Sequence, residues 1–392
     1  MNPKKILLTP GPTELAEETR MAMARPILNP DLDTDFFQFF RELTAKLQCL
    51  MHTQEDVLIL NGEGILGLEA AVAALVEPGD EVLVLDNGFF GHGFADFVSM
   101  YGGKPVFLSK DYHQPILRAD LEEALALHPQ IKIATMVHCD TPTGMLNPIE
   151  ELVPVLRERG ILSIVDAVAS LGGDLVEVDA WGIDICCCGS QKAISAPPGL
   201  TLMSISSAAW AHMAKRSVPI PGFYLNLMVW KNGWLAGKEE FPYTMPISDL
   251  YALDAALDRL LIDEAGILLR HRQLAEATKR TFVRAGFTLW SGMDYSAHTV
   301  TAIELPAGVT DESELRQALW TEHGVMIGGS WGELAGRVWR VGHMGEGADA
   351  AKLYTFFVAL EAVLAKTAAT GSPWPQADYS VIFAEELRKV QG

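Results

Sequence analysis

The sequence predicts an α/β protein in which a large domain carries a mostly parallel, doubly wound sheet and a smaller α/β domain follows it. Three observations predict this. Between residues 56 and 168 short apolar runs alternate with stretches of helical spacing, the pattern of a parallel sheet with helices on both faces. From about residue 206 to 245 the chain is rich in Trp, Pro and Gly and holds no long periodic run. A second, shorter alternation then begins near residue 300. The expected organisation is an arm over 1–20, a large domain over 21–250 and a small C-terminal domain over 251–392.

Taken in order, KILLTPGPT (5–13) reads as a short strand or extended arm that ends in the Pro10-Gly11-Pro12 turn. DFFQFFRELTAKLQCLM (35–51) repeats apolar residues at helical spacing. DVLILNGEGILGLEAAVAALVEPGD (56–80) reads strand, glycine turn, helix and Pro-Gly stop, and EVLVLDNGFFG (81–91) is a second strand. Further strands are expected at 104–108, 132–140 and 162–168, with helices at 119–128 and 149–160. Residues 248–285 lack Pro and carry leucines three and four apart, which predicts one long helix or two. The second unit then runs strand (300–308), helix (312–324), strands (324–329 and 337–345) and helix (347–366), and the tail from 370 reads as a loop and a short helix.

Fifty acidic against thirty basic side chains argue against nucleic acid or an anionic membrane surface as partner, but leave room for a locally held anion. With no uninterrupted apolar run of about 18 residues, a membrane span is not expected. MNPKKILLTPGP is too weakly apolar for a signal peptide, so a cytoplasmic location is expected. Cys49, Cys139 and Cys186 to Cys188 form neither CxxC nor Cys/His metal spacing. They read as buried small hydrophobes in a reducing compartment, and no metal is expected.

The chemistry centres on GSQKAISAPPGL (189–200), where Gly, Pro and small residues close around Lys192. A desolvated lysine has a lowered pKa and serves as a nucleophile, above all for Schiff-base formation with pyridoxal phosphate. From this stretch alone, a surface lysine at a strand end is the competing reading. Four strand ends add residues, since ligands of an open parallel sheet bind beyond its carboxyl ends. Asn61-Gly62-Glu63-Gly64-Ile65 leads into a helix and offers N–H groups to a phosphate, although with Gly67 it also suits a dinucleotide. Phe90 after Asn87-Gly88 is placed either to stack on a planar cofactor or to join the core. The polar loop 138–144 holds Thr141, and Asp166 ends an apolar run where a charge needs a partner such as a pyridinium nitrogen. Twenty-six residues separate Asp166 from Lys192, room for one crossover between adjacent strands.

These motifs in this order resemble the class V aminotransferases of PLP fold type I: LLTPGPT (7–13), GEGILGLEAA (62–71), HCDTPTGMLNPI (138–149), VDAVASLGG (165–173), GSQKAISAPPGL (189–200), FPYTMP (241–246) and RVWRVGHMG (337–345). The resemblance implies pyridoxal 5′-phosphate bound to Lys192, Asp166 on the pyridinium nitrogen, Val168 under the ring and Phe90 stacked on it. It implies Thr141 near the ring hydroxyl or phosphate side, and Gly64, Ile65 and Gln191 on the phosphate. Thr244 would come from the other subunit of a homodimer that shares its active sites. Arg340 would grip the substrate carboxylate, with Gly11, Glu63 and Trp331 on the substrate side.

Within the family Glu63 resembles the pyridoxamine–pyruvate branch, and the alanine/serine–glyoxylate branch comes next. Where the first branch pairs two arginines, this chain has Trp331 at the first of them, which narrows the site or stacks on substrate. An acid at position 63 disfavours an anionic donor. The expected activity is therefore amino transfer from a small amine or amino acid to pyruvate or glyoxylate. The other classes weighed are a PLP lyase, including a desulfurase for which no cysteine follows Cys188, and a nicotinamide oxidoreductase or binding module.

Overall fold

A computed structural model describes residues 5–368 and 373–392 of the chain. After an N-terminal strand β1 (Ile6–Leu8), the large lobe holds β2 (Asp56–Asn61), β3 (Glu81–Asp86), β4 (Lys104–Ser109) and β5 (Ile133–Val137). It continues with β6 (Leu162–Asp166), β7 (Ile185–Gly189) and β8 (Leu200–Ile205). These make a seven-stranded sheet in the order β2-β8-β7-β6-β5-β3-β4. Every neighbouring pair is parallel except those of β8, which runs against both β2 and β7. β8 is a strand the apolar pattern did not single out: it emerges from Pro197-Pro198-Gly199, and one of its two partners, β2, is distant in sequence.

Helices pack on both faces: α1 (Thr34–Leu50), α2 (Gly64–Leu75), α3 (Phe89–Met100) and α4 (Ile149–Glu158). Asp33 caps α1 by accepting from the Asp35 N–H, and the helix sinks Phe36, Phe40, Leu43 and Leu47 into the core. α2 is apolar nearly all round, and its residues from Gly67 to Leu75 are buried except Glu69. A Cβ at Gly67 would stand 2.3 Å from Thr201 Cγ2 on β8. This glycine therefore serves close helix–strand packing, which accounts for the apparent third glycine of a dinucleotide pattern.

The stretch 248–285 forms two helices, α5 (Ile247–Leu261) and α6 (Glu264–Arg284). The break comes at Asp263, whose side chain accepts from the Gly266 N–H at 3.0 Å and so starts a new helix. The small lobe then adds β9 (Val300–Glu304), α7 (Glu312–His323), β10 (Val325–Ile327), β11 (Val338–Gly342), α8 (Ala350–Ala368) and α9 (Tyr379–Gln391). β9 pairs antiparallel with β11, and β1 pairs parallel with β10, so Leu8 of the arm joins the second hydrophobic core. Residues 370–372 of the expected tail loop lie outside the described residues. Among the described residues no helix is long and apolar enough to cross a membrane, and no group of three or more His, Cys, Asp or Glu is placed to hold a metal ion.

Candidate active site

β3, β5, β6 and β7 run parallel, so their carboxyl ends open on one edge of the sheet, beside the point where strand order reverses between β3 and β5. The chain leaving each strand turns there and contributes to one cleft. Glu63, Ile65, Phe90, Thr141, Asp166, Val168, Gln191 and Lys192 line it together with Leu68, Cys139 and Ala169. The last three were not singled out in the sequence, because small or apolar wall residues look the same as core.

Lys192 sits three residues beyond β7 in a turn tied to the arm. Thr13 Oγ1 donates to the Lys192 carbonyl at 2.9 Å, and the Thr13 N–H donates to the Gln191 carbonyl at 3.1 Å. The Lys192 Nζ donates to the Pro10 carbonyl at 2.7 Å. Burial, the largest influence, pushes its pKa below 10.5 and enlarges the fraction of free amine. Gly11 has φ 92°, and a Cβ there would stand 2.5 Å from Lys192 Cδ, so the turn must be glycine for the lysine to lie along it.

Asp166 ends β6, is 4% exposed, and accepts from the Val168 N–H at 2.8 Å. Burial pushes its pKa up to about 7. A carboxylate held there needs a positive or N–H partner, which a protonated pyridine nitrogen provides. Gly64 begins α2 directly above Val168, where a Cβ would meet Val168 Cγ2 at 2.6 Å. Phe90, the second residue of α3, stands across the cleft, its N–H held at 2.9 Å by Asp140 Oδ1. Asp140 is buried and its other oxygen takes the Thr143 hydroxyl at 2.8 Å. Sequence reasoning passed over it, although a lone acid inside an apolar strand end was the available signal. The ring half of pyridoxal phosphate thus fits these residues.

The other half differs. Glu63 caps α2, its Oε1 accepting from the Ile65 N–H at 3.1 Å and its Oε2 from Gln191 Nε2 at 3.2 Å. A carboxylate only accepts, which assigns the Gln191 nitrogen to this bond and leaves Gln191 Oε1 buried with no partner. The helix start that would greet a phosphate therefore already faces a negative charge.

Arg340 comes from the middle of β11 and is 5% exposed. Its Nε donates to the Gly329 carbonyl at 2.6 Å, while its two terminal nitrogens carry no hydrogen bond among the described residues. Burial pushes its pKa down to about 10, so the guanidinium stays charged at neutral pH. The Trp331 ring covers it at 4.4 Å and meets Phe90 edge-on at 6.4 Å between centroids, which brings Arg340 to the mouth of the cleft. Thr244 lies apart: it is exposed in the single chain, and its carbonyl accepts from Asn61 Nδ2 at 2.9 Å.

The family described as class V aminotransferases matches residues 28–337. The pyridoxamine–pyruvate transaminase of Mesorhizobium japonicum is 35% identical over 343 residues, covering 87% of this chain and 86% of that one. The crystal structure of pyridoxamine–pyruvate aminotransferase from Mesorhizobium loti superposes with a TM-score of 0.91 at 32% identity, over 99% of this chain and 98% of the other. Ureidoglycine–glyoxylate aminotransferase from Bacillus subtilis gives 0.90 at 28% identity, over 99% of both. The fold, the lysine and acid at the ends of adjacent strands, and these likenesses agree: the chain belongs to the class V aminotransferase family, transaminases of PLP fold type I that work on pyridoxal 5′-phosphate.

Proposed function

We propose that this aminotransferase carries an amino group from a small neutral or cationic amine to pyruvate or glyoxylate, and that pyridoxamine with pyruvate is the pair its site suits best. One observation carries the choice of donor. At the far end of the cleft stand two acceptors, the Glu63 carboxylate and the unpartnered Gln191 Oε1, where a phosphate would need donors. A hydroxymethyl group has the O–H that such acceptors require, and a phosphate dianion brings only more negative charge.

The pyridine aldehyde, when bound, supplies an electron sink for the carbon that loses a proton. Every other part falls to the chain. With pyridoxamine as donor, the Lys192 amine, its pKa lowered by burial, would carry the proton from the amine-bearing carbon of pyridoxamine to the α carbon of the pyruvate, whose carbonyl oxygen leaves as water when the amine nitrogen binds there. It would take over the pyridine aldehyde carbon as alanine departs, before water frees the pyridoxal. Asp166 would hold the ring nitrogen protonated, Phe90 and Val168 would close the two ring faces, and Thr141 would stand at the ring edge, since all four line the cleft. Gly64 and Ile65 give the helix start against which the substituent at that end rests. Arg340 offers both free terminal nitrogens to the acceptor carboxylate as a bidentate pair, with Gly11 and Trp331 shaping the approach. The exposed Thr244 supports a homodimer in which each subunit completes the other's site, and five free cysteines suit a reducing cytoplasm.

The visible spectrum of the purified protein tests this. Pyridoxamine plus pyruvate is expected to give steady release of free pyridoxal and alanine. Turnover of L-alanine or L-serine with glyoxylate on tightly held pyridoxal phosphate, with pyridoxamine untouched, would overturn the donor assignment.

A further inference from the structure

Behind the strand that carries the cofactor loop lies a second cavity of about 620 Å³, within the range of small-molecule sites. It opens between the start of α4, the short helix Val178–Trp181, the start of α6 and the segment before β9. It is separate from the cofactor cleft, with which it shares no residue, although His138 on its wall is the chain neighbour of Cys139 on the other.

Three features of its lining agree. The first is His138, which is 3% exposed. Its Nδ1 meets Ser170 Oγ at 3.0 Å, and that hydroxyl donates to the Ala167 carbonyl at 3.3 Å. With the hydroxyl hydrogen spent, the bond pattern assigns the ring proton to Nδ1 and leaves Nε2 a bare acceptor. Nε2 has no hydrogen-bond partner among the described residues, and the ring faces the cavity. Burial pushes the His138 pKa down to about 4, so the ring stays neutral.

The second feature is charge. Glu150, Glu151, Glu177 and Asp294 line the cavity with Asp174, whose carboxylate takes the His298 Nδ1 at 2.6 Å. Despite burial, that bond keeps Asp174 ionised below the usual carboxylate range. Apart from the histidines, Arg272 is the one basic residue on the wall. The third feature is an apolar floor, with the Trp181 ring edge-on to His138 at 5.6 Å and with Tyr295 and Leu268 beside it.

We infer that this cavity is a second small-molecule site, for an amine cation that bears one aromatic or alkyl arm. The N–H of the ammonium donates to His138 Nε2, the surrounding carboxylates offset its charge, and the arm lies on Trp181. An anion meets the wrong potential, and a neutral hydrocarbon leaves the buried nitrogen unpaired.

N,N-Dimethylphenethylamine is a suitable probe, because a tertiary amine keeps one N–H and cannot condense with the cofactor carbonyl. Calorimetry on the holoenzyme at neutral pH is expected to show one saturable site with Kd on the order of 0.1 mM. The N,N,N-trimethyl analogue, which lacks the N–H, should bind about tenfold more weakly, and 3-phenylpropionate should not bind. Trp181→Leu and the milder Glu177→Gln should each weaken the probe several-fold while visible absorption and melting temperature hold. Neither residue lines the cofactor cleft, so unchanged binding in both folded variants would place the probe elsewhere and overturn the assignment. Absence of saturable heat, or equal binding of the tertiary and quaternary amines, would overturn it too.

Discussion

Lys192 and Lys279 are both taken out of water, and only Lys192 lines the candidate cofactor cleft. Lys279 lies on α6, is 3% exposed, and its Nζ donates to the Ser296 carbonyl at 2.8 Å. Burial pushes its pKa down to about 8, against the pull of the Asp174 charge. Lys192 shows the same direction for the same reason and makes the same kind of bond to a carbonyl. Desolvation therefore does not separate them; room does. Lys192 rides on a turn beside a cleft that also holds Asp166, whereas Lys279 is fixed along a helix and lines neither cavity described above. A lowered lysine pKa reports burial, and chemistry requires open space at the amine as well.

The sharpest way to break this comparison is to remove each amine. Lys192→Ala is expected to lower transamination by at least about 10³-fold, since both the nucleophile and the proton carrier are lost. Its unfolding midpoint should stay near that of the parent, because the substitution also removes a desolvated charge. Single-turnover assays and thermal unfolding on the same preparation check both halves. Residual activity above a few per cent would mean that another group carries the proton.

A subtler test moves the lysine without deleting it. In Gly11→Ala the new Cβ lies 2.5 Å from Lys192 Cδ and 2.8 Å from Nζ, so the flexible end of the side chain has to swing aside. The φ of 92° adds strain of about 1 kcal/mol. Activity is expected to fall roughly 10- to 100-fold, chiefly in kcat, as a misplaced reacting group does. A variant with unchanged kcat would show that the turn does not aim the amine.

Much of the site was legible because its residues interrupt a pattern. Asp166 is a charge ending an apolar run, Lys192 stands among Gly and Pro, and Gly62-Glu63-Gly64 separates a strand from a helix. The doubly wound sheet follows from that alternation, and the break at Asp263 needed only the recognition of a capping acid. What escaped carries no local contrast. Leu68, Cys139 and Ala169 line the cleft but read as core, and Lys279 within EATKRTF resembles any lysine on an exposed helix face. The cover of Trp331 over Arg340 depends on a turn bringing together residues nine apart, and β8 gains its place by pairing with both β7 and the distant β2.

Lys279→Met gives the smallest effect on activity and the most specific one on stability. Because Lys279 lies outside the cleft, kcat should stay within about threefold of the parent. Stability is another matter, because the folded-state pKa near 8 lies below the 10.5 of an unhindered lysine. Below pH 8 the folded protein holds a charged amine in an apolar place, a penalty the unfolded chain does not share. Between pH 8 and 10.5 the folded state releases this proton while the unfolded state keeps it, so stability rises with pH. Methionine is close in length and cannot titrate, although it leaves the Ser296 carbonyl unpaired. Denaturant unfolding of both proteins from pH 7 to 10.5 should therefore show the parent gaining up to about 3 kcal/mol on the variant. A constant difference across that range would mean that Lys279 stays charged in the fold, held by Asp174, and that the two buried lysines differ in protonation as well as in room.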